Sequence, residues 1–163
     1  MIVSVEIPKE VKVNISGGIA KVSGKNGEVS FEYKPMVKFV VENDAVKLEG
    51  PDMFVGTYNA HLKNALKGVT EGHFKKMKVI QAHFPMKIEQ KGDKIIVKNF
   101  VGSKVDRVAR VIGNTKVKIK GQDIEVEGPD LYAVGQTAAN LRQATKIRNK
   151  DVRVFQDGIY PVK

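Results

Sequence analysis

The sequence predicts an α+β fold with two tandem homologous domains, each of them an antiparallel β-sheet layer packed with one α-helix. Three observations support this prediction. The phrase EGPD occurs twice, at residues 49–52 and 127–130. A stretch of alternating polar and apolar residues precedes each copy, and a stretch with helical periodicity follows each copy. Because these features recur in the same order, we expect an internal duplication of one α+β unit.

Each copy of the phrase ends a predicted β-hairpin. The two stretches are KFVVENDAVKLEGPD and KVKIKGQDIEVEGPD, and in both a polar turn separates two short alternating runs. In the second stretch, Val117 and Ile119 point to one side, whereas Lys116, Lys118 and Lys120 point to the other. This period of two residues is typical of strands with one buried face.

A helix is predicted after each hairpin, in VGTYNAHLKNALK at residues 55–67 and in VGQTAANLRQATK at residues 134–146. Gly-Pro in the repeated phrase ends the strand, and Asp52 or Asp130 turns the chain toward the helix. The apolar residues of both stretches recur at the spacing of one helical face. They are Val55, Leu62, Ala65, Leu66 and Val69 in the first stretch, and Val134, Ala138, Leu141 and Ala144 in the second.

The two halves also begin alike, with EIPKEVKV in the first and HFPMKIEQ in the second. This similarity places the boundary between them near residues 72–80, in GHFKKMKVI. We therefore expect a first domain at residues 1–76 and a second domain at residues 77–163.

The composition indicates a soluble cytoplasmic protein. Of its 163 residues, 42% are hydrophobic, which is enough for real cores. The absence of cysteine excludes disulfides and thiolate metal sites, and it suits a reducing cytosol. No apolar stretch approaches the ~20 residues of a membrane helix, and the start MIVSVEIPKE lacks the basic and apolar regions of a signal peptide. We expect no membrane partner.

Positive charge is concentrated in the second half. The net charge of +10 suits a polyanionic partner, such as nucleic acid or an anionic membrane surface. Residues 1–80 contain 12 lysines, no arginine and 9 acidic residues, a net charge of +3. Residues 81–163 contain 16 basic residues, five of them arginines, and 9 acidic residues, a net charge of +7. Because arginine binds phosphate through a planar fork that lysine lacks, this asymmetry predicts an RNA site in the second half.

The stretch NLRQATKIRNKDVRVFQDGIY, residues 140–160, is the strongest candidate for that site. It combines basic, amide and aromatic side chains, as RNA sites do. We expect the polar face of the second helix to carry Arg142 and Lys146. Phe155 and Tyr160 either stack on exposed bases or pack against the protein, and packing is favoured for Phe155. The predicted RNA-binding residues are Lys104, Arg107, Arg110, Gln136, Arg142, Gln143, Lys146, Arg148, Asn149, Lys150 and Arg153.

The sequence does not indicate catalysis. The three histidines, His61, His73 and His83, lack the spacing of metal ligands. There is no Ser-His-Asp arrangement, P-loop or glycine-rich dinucleotide fingerprint. We therefore expect no enzyme activity, no cofactor and no metal site.

The tail resembles the C-terminal signature of the large-subunit ribosomal protein six family. The residues that match the family pattern at its spacings are Gln143, Ile147, Lys150, Arg153, Phe155, Asp157, Gly158, Ile159 and Tyr160. VGQTAAN at residues 134–140 resembles the start of the family's second helix, and GVTEGHFKKMKVIQAHFP at residues 68–85 resembles its inter-domain connection. FQDGIY is similar to the archaeal and eukaryotic members. Pro161 departs from the pattern, which usually has an aliphatic residue there, and this affects a final strand or a short tail contact.

This resemblance implies two homologous α+β domains and a structural role in the large ribosomal subunit. It implies binding of large-subunit rRNA mainly through the second domain, near the base of the factor-binding stalk. Neighbouring ribosomal proteins and translation factors near the stalk base are then the expected protein partners. The charge asymmetry points to the same second domain independently of the family.

Two other functions are compatible with the basic segment. One is a free-standing adaptor that docks an acidic protein partner through the same residues, and the other is an RNA-processing enzyme. Sedimentation of a cell lysate separates the first of these from a ribosomal protein. A ribosomal protein travels with the large subunit and leaves it only at high salt, whereas an adaptor stays in the light fractions.

Overall fold

The computed structural model describes residues 1–163 and shows thirteen β-strands, two α-helices and one short 3-10 turn. The chain forms two compact units. The first unit comprises Met1–His73 and Pro129–Leu131, and the second comprises Phe74–Gly128 and Tyr132–Lys163. Neither helix is long and apolar enough to cross a membrane.

The first unit contains two three-stranded antiparallel sheets and one helix. Its elements are β1 (Ile2–Glu6), β2 (Lys12–Ser16), β3 (Ile19–Gly24), β4 (Gly27–Glu32), β5 (Lys38–Glu42), β6 (Ala45–Glu49) and α1 (Asp52–Thr70). The strand order is β1-β6-β5 in one sheet and β2-β3-β4 in the other. Each strand pairs antiparallel with its neighbours.

Side-chain alternation explains how these elements make a core. In β6, Val46 and Leu48 are completely buried, whereas Lys47 between them is exposed, as expected for a strand with one face inward. In α1, Val55 and Leu62 are also completely buried. They lie two helical turns apart and therefore share the face that packs on the sheets.

The second unit contains a three-stranded sheet, a four-stranded sheet and one helix. Its elements are β7 (His73–Ile80), β8 (Lys87–Lys91), β9 (Lys94–Lys98), the 3-10 turn (Phe100–Gly102), β10 (Arg107–Arg110), β11 (Lys116–Lys120), β12 (Asp123–Gly128), α2 (Leu131–Ala144) and β13 (Gly158–Pro161). The strand orders are β10-β9-β8 and β11-β12-β7-β13. The core is formed by apolar residues of both sheets and of α2, among them Ile95, Ile124 and Leu141, all completely buried.

The internal duplication is visible in the topology of the two units. The order β5-β6-β1 corresponds to β11-β12-β7, and β2-β3-β4 corresponds to β8-β9-β10. A helix follows the last hairpin in each unit. The predicted α+β fold with two repeated units is therefore confirmed, and the β layer of each unit consists of two sheets. Strand β13 is the one strand without a counterpart in the first unit.

Helix α2 ends two residues before Lys146, so the prediction that Lys146 lies on its polar face is wrong. The hydroxyl of Thr145 donates a hydrogen bond to the carbonyl of Leu141 at 3.1 Å and accepts one from the N–H of Ile159 at 3.0 Å. These bonds connect the end of α2 to β13 and turn the chain away from the helix axis. Arg142 lies in the last turn of α2, as predicted.

Residues 72–80, predicted to connect the halves, contain β7. This strand lies between β12 and β13 in the four-stranded sheet, and only Glu71–Gly72 separate it from α1. The predicted ranges 1–76 and 77–163 divide β7 after Lys76, whereas the two compact units meet between His73 and Phe74. The extent of each independently folding part remains a prediction that fragments can test.

Pro161 is the last residue of β13, which is an edge strand. An edge position tolerates proline because one side of the strand has no partner for an N–H group. The next residue, Val162, donates its backbone N–H to the carbonyl of Lys76 at 3.0 Å. The final strand therefore forms with proline in place of the family's aliphatic residue.

Candidate nucleic-acid interface

Several lysines of the second unit are neutralised by neighbouring acidic residues. On the β11–β12 hairpin, Lys118 pairs with Glu127 at 2.7 Å and Lys120 pairs with Glu125 at 3.1 Å. The hydrogen bond from Lys118 lowers the pKa of Glu127 below its ordinary value. In the other sheet, both Lys87 and Lys98 contact Glu89. These strands therefore contribute less unbalanced charge than their lysines suggest.

Unbalanced positive charge collects instead around one small cleft, which we call the basic cleft. Its volume is about 160 Å³. Four of its eight lining residues are cations, and none is acidic. The lining consists of Phe100, Val101, Ser103, Arg107, Lys146, Ile147, Arg148 and Lys150.

The basic cleft unites two segments that lie far apart in the sequence. Arg107 is the first residue of β10, and Lys146, Arg148 and Lys150 follow α2. The sequence prediction named Lys104, Arg107 and Arg110 together with the tail cations, without placing the two segments in contact. The fold places Arg107 with the tail cations, so the two locations form one surface.

Three cations of this region lie against aromatic rings, within the ~6 Å typical of cation–π contacts. The distances from the cationic group to the ring centroid are 5.6 Å for Arg107 over Phe100, 4.5 Å for Arg142 over Tyr160 and 4.9 Å for Lys150 over Phe155. Phe155 also stacks on His83, with the ring centroids 4.8 Å apart. Phe155 and Tyr160 therefore pack within the protein, and the favoured interpretation of Phe155 as a packing residue agrees with the structure.

A buried carboxylate anchors the tail beneath this surface. The side chain of Asp157 is completely buried and accepts hydrogen bonds from Nδ1 of His83 at 3.0 Å and from the backbone N–H groups of His83 and Phe84. Burial by itself raises the pKa of Asp157, but these hydrogen bonds outweigh it and leave the pKa below its ordinary value. Asp157 therefore holds the tail to the segment that follows β7.

Left-handed backbone conformations occur in both segments that line the basic cleft. Val101 has a φ of 53°, and Asn149, between Arg148 and Lys150, has a φ of 60°. Such angles are uncommon for residues other than glycine, and for a β-branched residue such as Val101 they are true outliers. Strained backbone of this kind persists only where the surrounding structure imposes it, and it clusters at functional sites.

The remaining predicted site residues differ in whether their side chains form hydrogen bonds or ion pairs within the protein. Nε2 of Gln136 donates to Oδ1 of Asn140 at 2.9 Å, and Nδ2 of Asn140 donates to the carbonyl of Arg110 at 2.9 Å. Gln136 therefore supports the junction between α2 and β10. Six further side chains are exposed and make no hydrogen bond or ion pair within the protein: Lys104, Arg110, Gln143, Lys146, Arg148 and Asn149.

Arg153 has an acidic partner of its own. Its Nε and Nη2 donate to the two carboxylate oxygens of Asp151 at 3.1 and 3.0 Å, and its backbone N–H donates to the same carboxylate at 2.9 Å. These hydrogen bonds raise the pKa of Arg153 and lower that of Asp151. Because the guanidinium fork is already occupied, Arg153 is the least available cation of the predicted set.

The sequence interpretation did not identify the residues that shape the basic cleft. Phe100 is 2% exposed and lies in the 3-10 turn. In the sequence it looks like any other apolar core residue. His83 pairs with Asp157, which lies 74 positions away in the sequence. Neither contact has a local sequence signal, because both depend on how distant segments meet. No group of three or more potential metal-ligating side chains is present.

Over nearly its whole length, the chain is similar to known proteins of one family. The family described as Ribosomal protein L6 matches residues 7–72 and 84–158. The chain is 40% identical over 165 residues to the large ribosomal subunit protein uL6 of Haloarcula marismortui, covering 97% of this chain and 93% of that protein. It is 43% identical over 171 residues to uL6 of Archaeoglobus fulgidus, covering 98% and 87% of the two chains.

A third relative is uL6 of Aeropyrum pernix, with 42% identity over 164 residues, 96% of this chain and 90% of that protein. The two stretches matched by the family correspond to the two repeated α+β units described above. Family match, full-length similarity and repeated fold lead to one conclusion: the chain belongs to the ribosomal protein L6 family.

Proposed function

We propose that this chain, a protein of the large ribosomal subunit, binds large-subunit rRNA mainly through its second unit, with the basic cleft at the centre of the contact. One observation supports this most directly. Four cations from two distant segments converge on a cleft that contains no carboxylate, while Lys118 and Lys120 of the β11–β12 hairpin are paired with acidic residues. A cleft lined by charges of one sign concentrates positive potential, and this potential attracts a polyanion.

The proposed contact acts mainly on phosphates. Arg148 and Lys146 are exposed and have no partner within the protein, so they are free to neutralise phosphate groups. Arg107 and Arg142 are oriented by the rings beneath them. The full proposed set is Lys104, Arg107, Arg110, Gln136, Arg142, Gln143, Lys146, Arg148, Asn149, Lys150 and Arg153. Within this set, Gln136 and Arg153 contribute chiefly by holding the surface in shape, because their side chains bond within the protein. Asn149 contributes through its left-handed backbone, which positions Arg148 and Lys150.

The protein acts as a structural component of the cytoplasmic ribosome and not as an enzyme. We place it near the base of the factor-binding stalk, with neighbouring ribosomal proteins and translation factors as its protein partners. This position rests on the resemblance of the tail, residues 143–160, to the family signature.

A salt titration tests the phosphate contacts. Binding of an rRNA fragment is measured for the wild type, Arg148→Ala and Arg142→Ala at several salt concentrations. Each phosphate contact contributes roughly 0.7–0.9 to the slope of log affinity against log salt. Removing one contact is therefore expected to lower that slope by about 1.

Lys118→Ala is the matched control, because it removes one positive charge from a residue that pairs with Glu127 and lies outside the basic cleft. Its slope is expected to match that of the wild type. An unchanged slope in both arginine variants means that the tail cations are only a solvated surface, and the RNA contact then has to be sought at Lys104, Arg107 and Arg110.

Sedimentation tests the cellular assignment. The protein is expected to travel with the large subunit in a lysate and to dissociate only at high salt, because its contact with RNA is electrostatic. Recovery in the light fractions at low salt supports the alternative of a free-standing adaptor that binds an acidic protein.

A further inference from the structure

We propose that the basic cleft receives one unpaired nucleotide of RNA, with the base stacked on the guanidinium of Arg107 and the adjoining phosphates bound by Lys146, Arg148 and Lys150. This inference rests on the proposed rRNA-binding function and specifies the form of RNA that it uses. Three observations support the inference: the size of the cleft, the position of Arg107 and the cations that line the cleft.

The shape of the cleft suits a single ring-sized group. Its volume of about 160 Å³ is smaller than the roughly 300–1,000 Å³ of a pocket that encloses a whole small ligand. Val101 and Ile147 add apolar surface to the lining, and both pack against the core of the second unit. A base in a duplex is stacked on both faces, so only an unpaired nucleotide can place its ring in such a space.

Arg107 provides a planar surface in a fixed orientation. Its guanidinium lies over the ring of Phe100 at 5.6 Å, and Phe100 is only 2% exposed within the core of the second unit. The guanidinium is therefore held against Phe100 within the protein, and Arg107 also lines the cleft. Proteins stack unpaired bases on aromatic rings and on guanidinium planes, and lysine cannot replace arginine in this role.

The cations at the cleft match the charge of the RNA backbone on either side of the base. Lys146, Arg148 and Lys150 alternate along one segment, and no acidic residue lines the cleft with them. Asn149 within this segment and Val101 opposite it both have left-handed backbone angles.

The test uses the full-length chain and three RNA hairpins of the same stem sequence. One carries a single unpaired nucleotide in the stem, one is fully paired, and one carries an abasic site in place of the unpaired nucleotide. The wild type is compared with Arg107→Lys, which retains the charge and removes the plane. Lys118→Arg is the control, because it exchanges one cation for another at a residue that pairs with Glu127 and lies outside the basic cleft.

The wild type is expected to bind the hairpin with the unpaired nucleotide roughly tenfold more tightly than the other two, as one stacked base allows. Arg107→Lys is expected to lose this preference and to keep the salt dependence of the wild type. Lys118→Arg is expected to keep the preference.

Equal binding of the three hairpins by the wild type overturns the inference and leaves the rRNA-binding proposal intact. Equal binding of the abasic and the unpaired hairpins, both above the paired one, also overturns it, because the cleft then binds only a distorted backbone. If none of the hairpins binds at any salt concentration, both proposals fail. The wild-type comparison decides the question even if Arg107→Lys does not fold.

Discussion

Contacts between cations and aromatic rings determine how the basic surface is presented. Arginine and lysine side chains carry about 2 kcal/mol of rotamer entropy, part of which is lost when they bind. A ring beneath the cation orders the side chain in the free protein, so that less entropy is lost in the complex. Arg142 over Tyr160 is the closest of these pairs, at 4.5 Å. The aromatic residues of the tail thus support RNA binding indirectly, through the cations that they orient.

The buried carboxylate of Asp157 is expected to contribute to stability in a pH-dependent way. Asp157→Asn is expected to lower the free energy of unfolding by about 2 kcal/mol at neutral pH, because a neutral amide is a weaker acceptor for the three hydrogen bonds. The folded-state pKa lies below the ordinary value. The contribution is therefore complete above the unfolded pKa and is lost as the pH falls through the folded pKa.

Urea unfolding of the wild type and Asp157→Asn at neutral and acid pH measures this effect. The difference between the two proteins is expected to shrink below about pH 4. Asp151→Asn is the control and is expected to change stability little, since Asp151 is an exposed partner of Arg153. A difference that is as large under acid conditions as at neutral pH contradicts the assignment.

Two substitutions at Asn149 distinguish a role of its left-handed backbone from a direct contact of its side chain with RNA. Asn149→Gly retains a backbone that adopts positive φ without strain, so we expect RNA affinity close to that of the wild type. Asn149→Ala adds strain of roughly 1–2 kcal/mol and is expected to weaken binding by moving Arg148 and Lys150. Filter binding to an rRNA fragment measures both variants. Equal loss of affinity in the two variants indicates that the amide itself contacts RNA.

At the scale of secondary-structure elements, strand β13 distinguishes the second unit from the first. It pairs with one edge of β7. In the first unit, the corresponding strand β1 has no neighbouring strand on that edge. The segment between α2 and β13 carries the tail cations of the basic cleft. The pairing of β13 with β7 therefore fixes the end of the segment that carries the proposed RNA-binding cations.

Thr145 is expected to control how firmly β13 is held. Thr145→Val preserves the shape of the side chain and leaves the buried N–H of Ile159 without its acceptor. Such an unpaired group costs about 1–3 kcal/mol. We expect lower stability toward urea and faster hydrogen exchange at Ile159. Thr145→Ser keeps the hydroxyl and is expected to retain slow exchange, so fast exchange in the serine variant argues against this role.

At the scale of the whole molecule, the position of β7 determines which fragments can fold. Met77 and Val79 of this strand are almost completely buried, and β7 lies between β12 and β13. A fragment of residues 72–163 is expected to unfold cooperatively in urea and to bind an rRNA fragment more tightly than residues 1–71. A fragment of residues 81–163 lacks β7 and is expected to show no cooperative transition, because its four-stranded sheet loses an internal strand.

Circular dichroism during urea titration measures both fragments, and intact protein provides the reference. Cooperative unfolding of residues 81–163 contradicts the assignment of β7 as an essential part of the second unit. Equal RNA affinity of residues 1–71 and 72–163 at moderate salt contradicts the proposed dominance of the second unit.

The helix end illustrates where sequence periodicity stops being informative. The apolar spacing of α2 extends through Leu141 and Ala144, and it predicted the helix and its buried face correctly. Nothing in that spacing shows that Thr145 bonds to Ile159, which lies 14 positions later, and so the prediction for Lys146 was wrong. Tertiary hydrogen bonds override local propensity at the ends of elements.

The sequence by itself determined the duplicated α+β fold, the excess of charge in the second half and the family signature. These properties follow from residue types at short spacings, because strands and helices have fixed periods of two and 3.6 residues. Only the tertiary structure decided which cations share one surface. Arg107 meets Lys146, Arg148 and Lys150 at the basic cleft, while Lys118 and Lys120 are paired with acidic residues across the hairpin. Electrostatic interactions depend on distance in space, and the spacing of charges along the chain does not determine that distance.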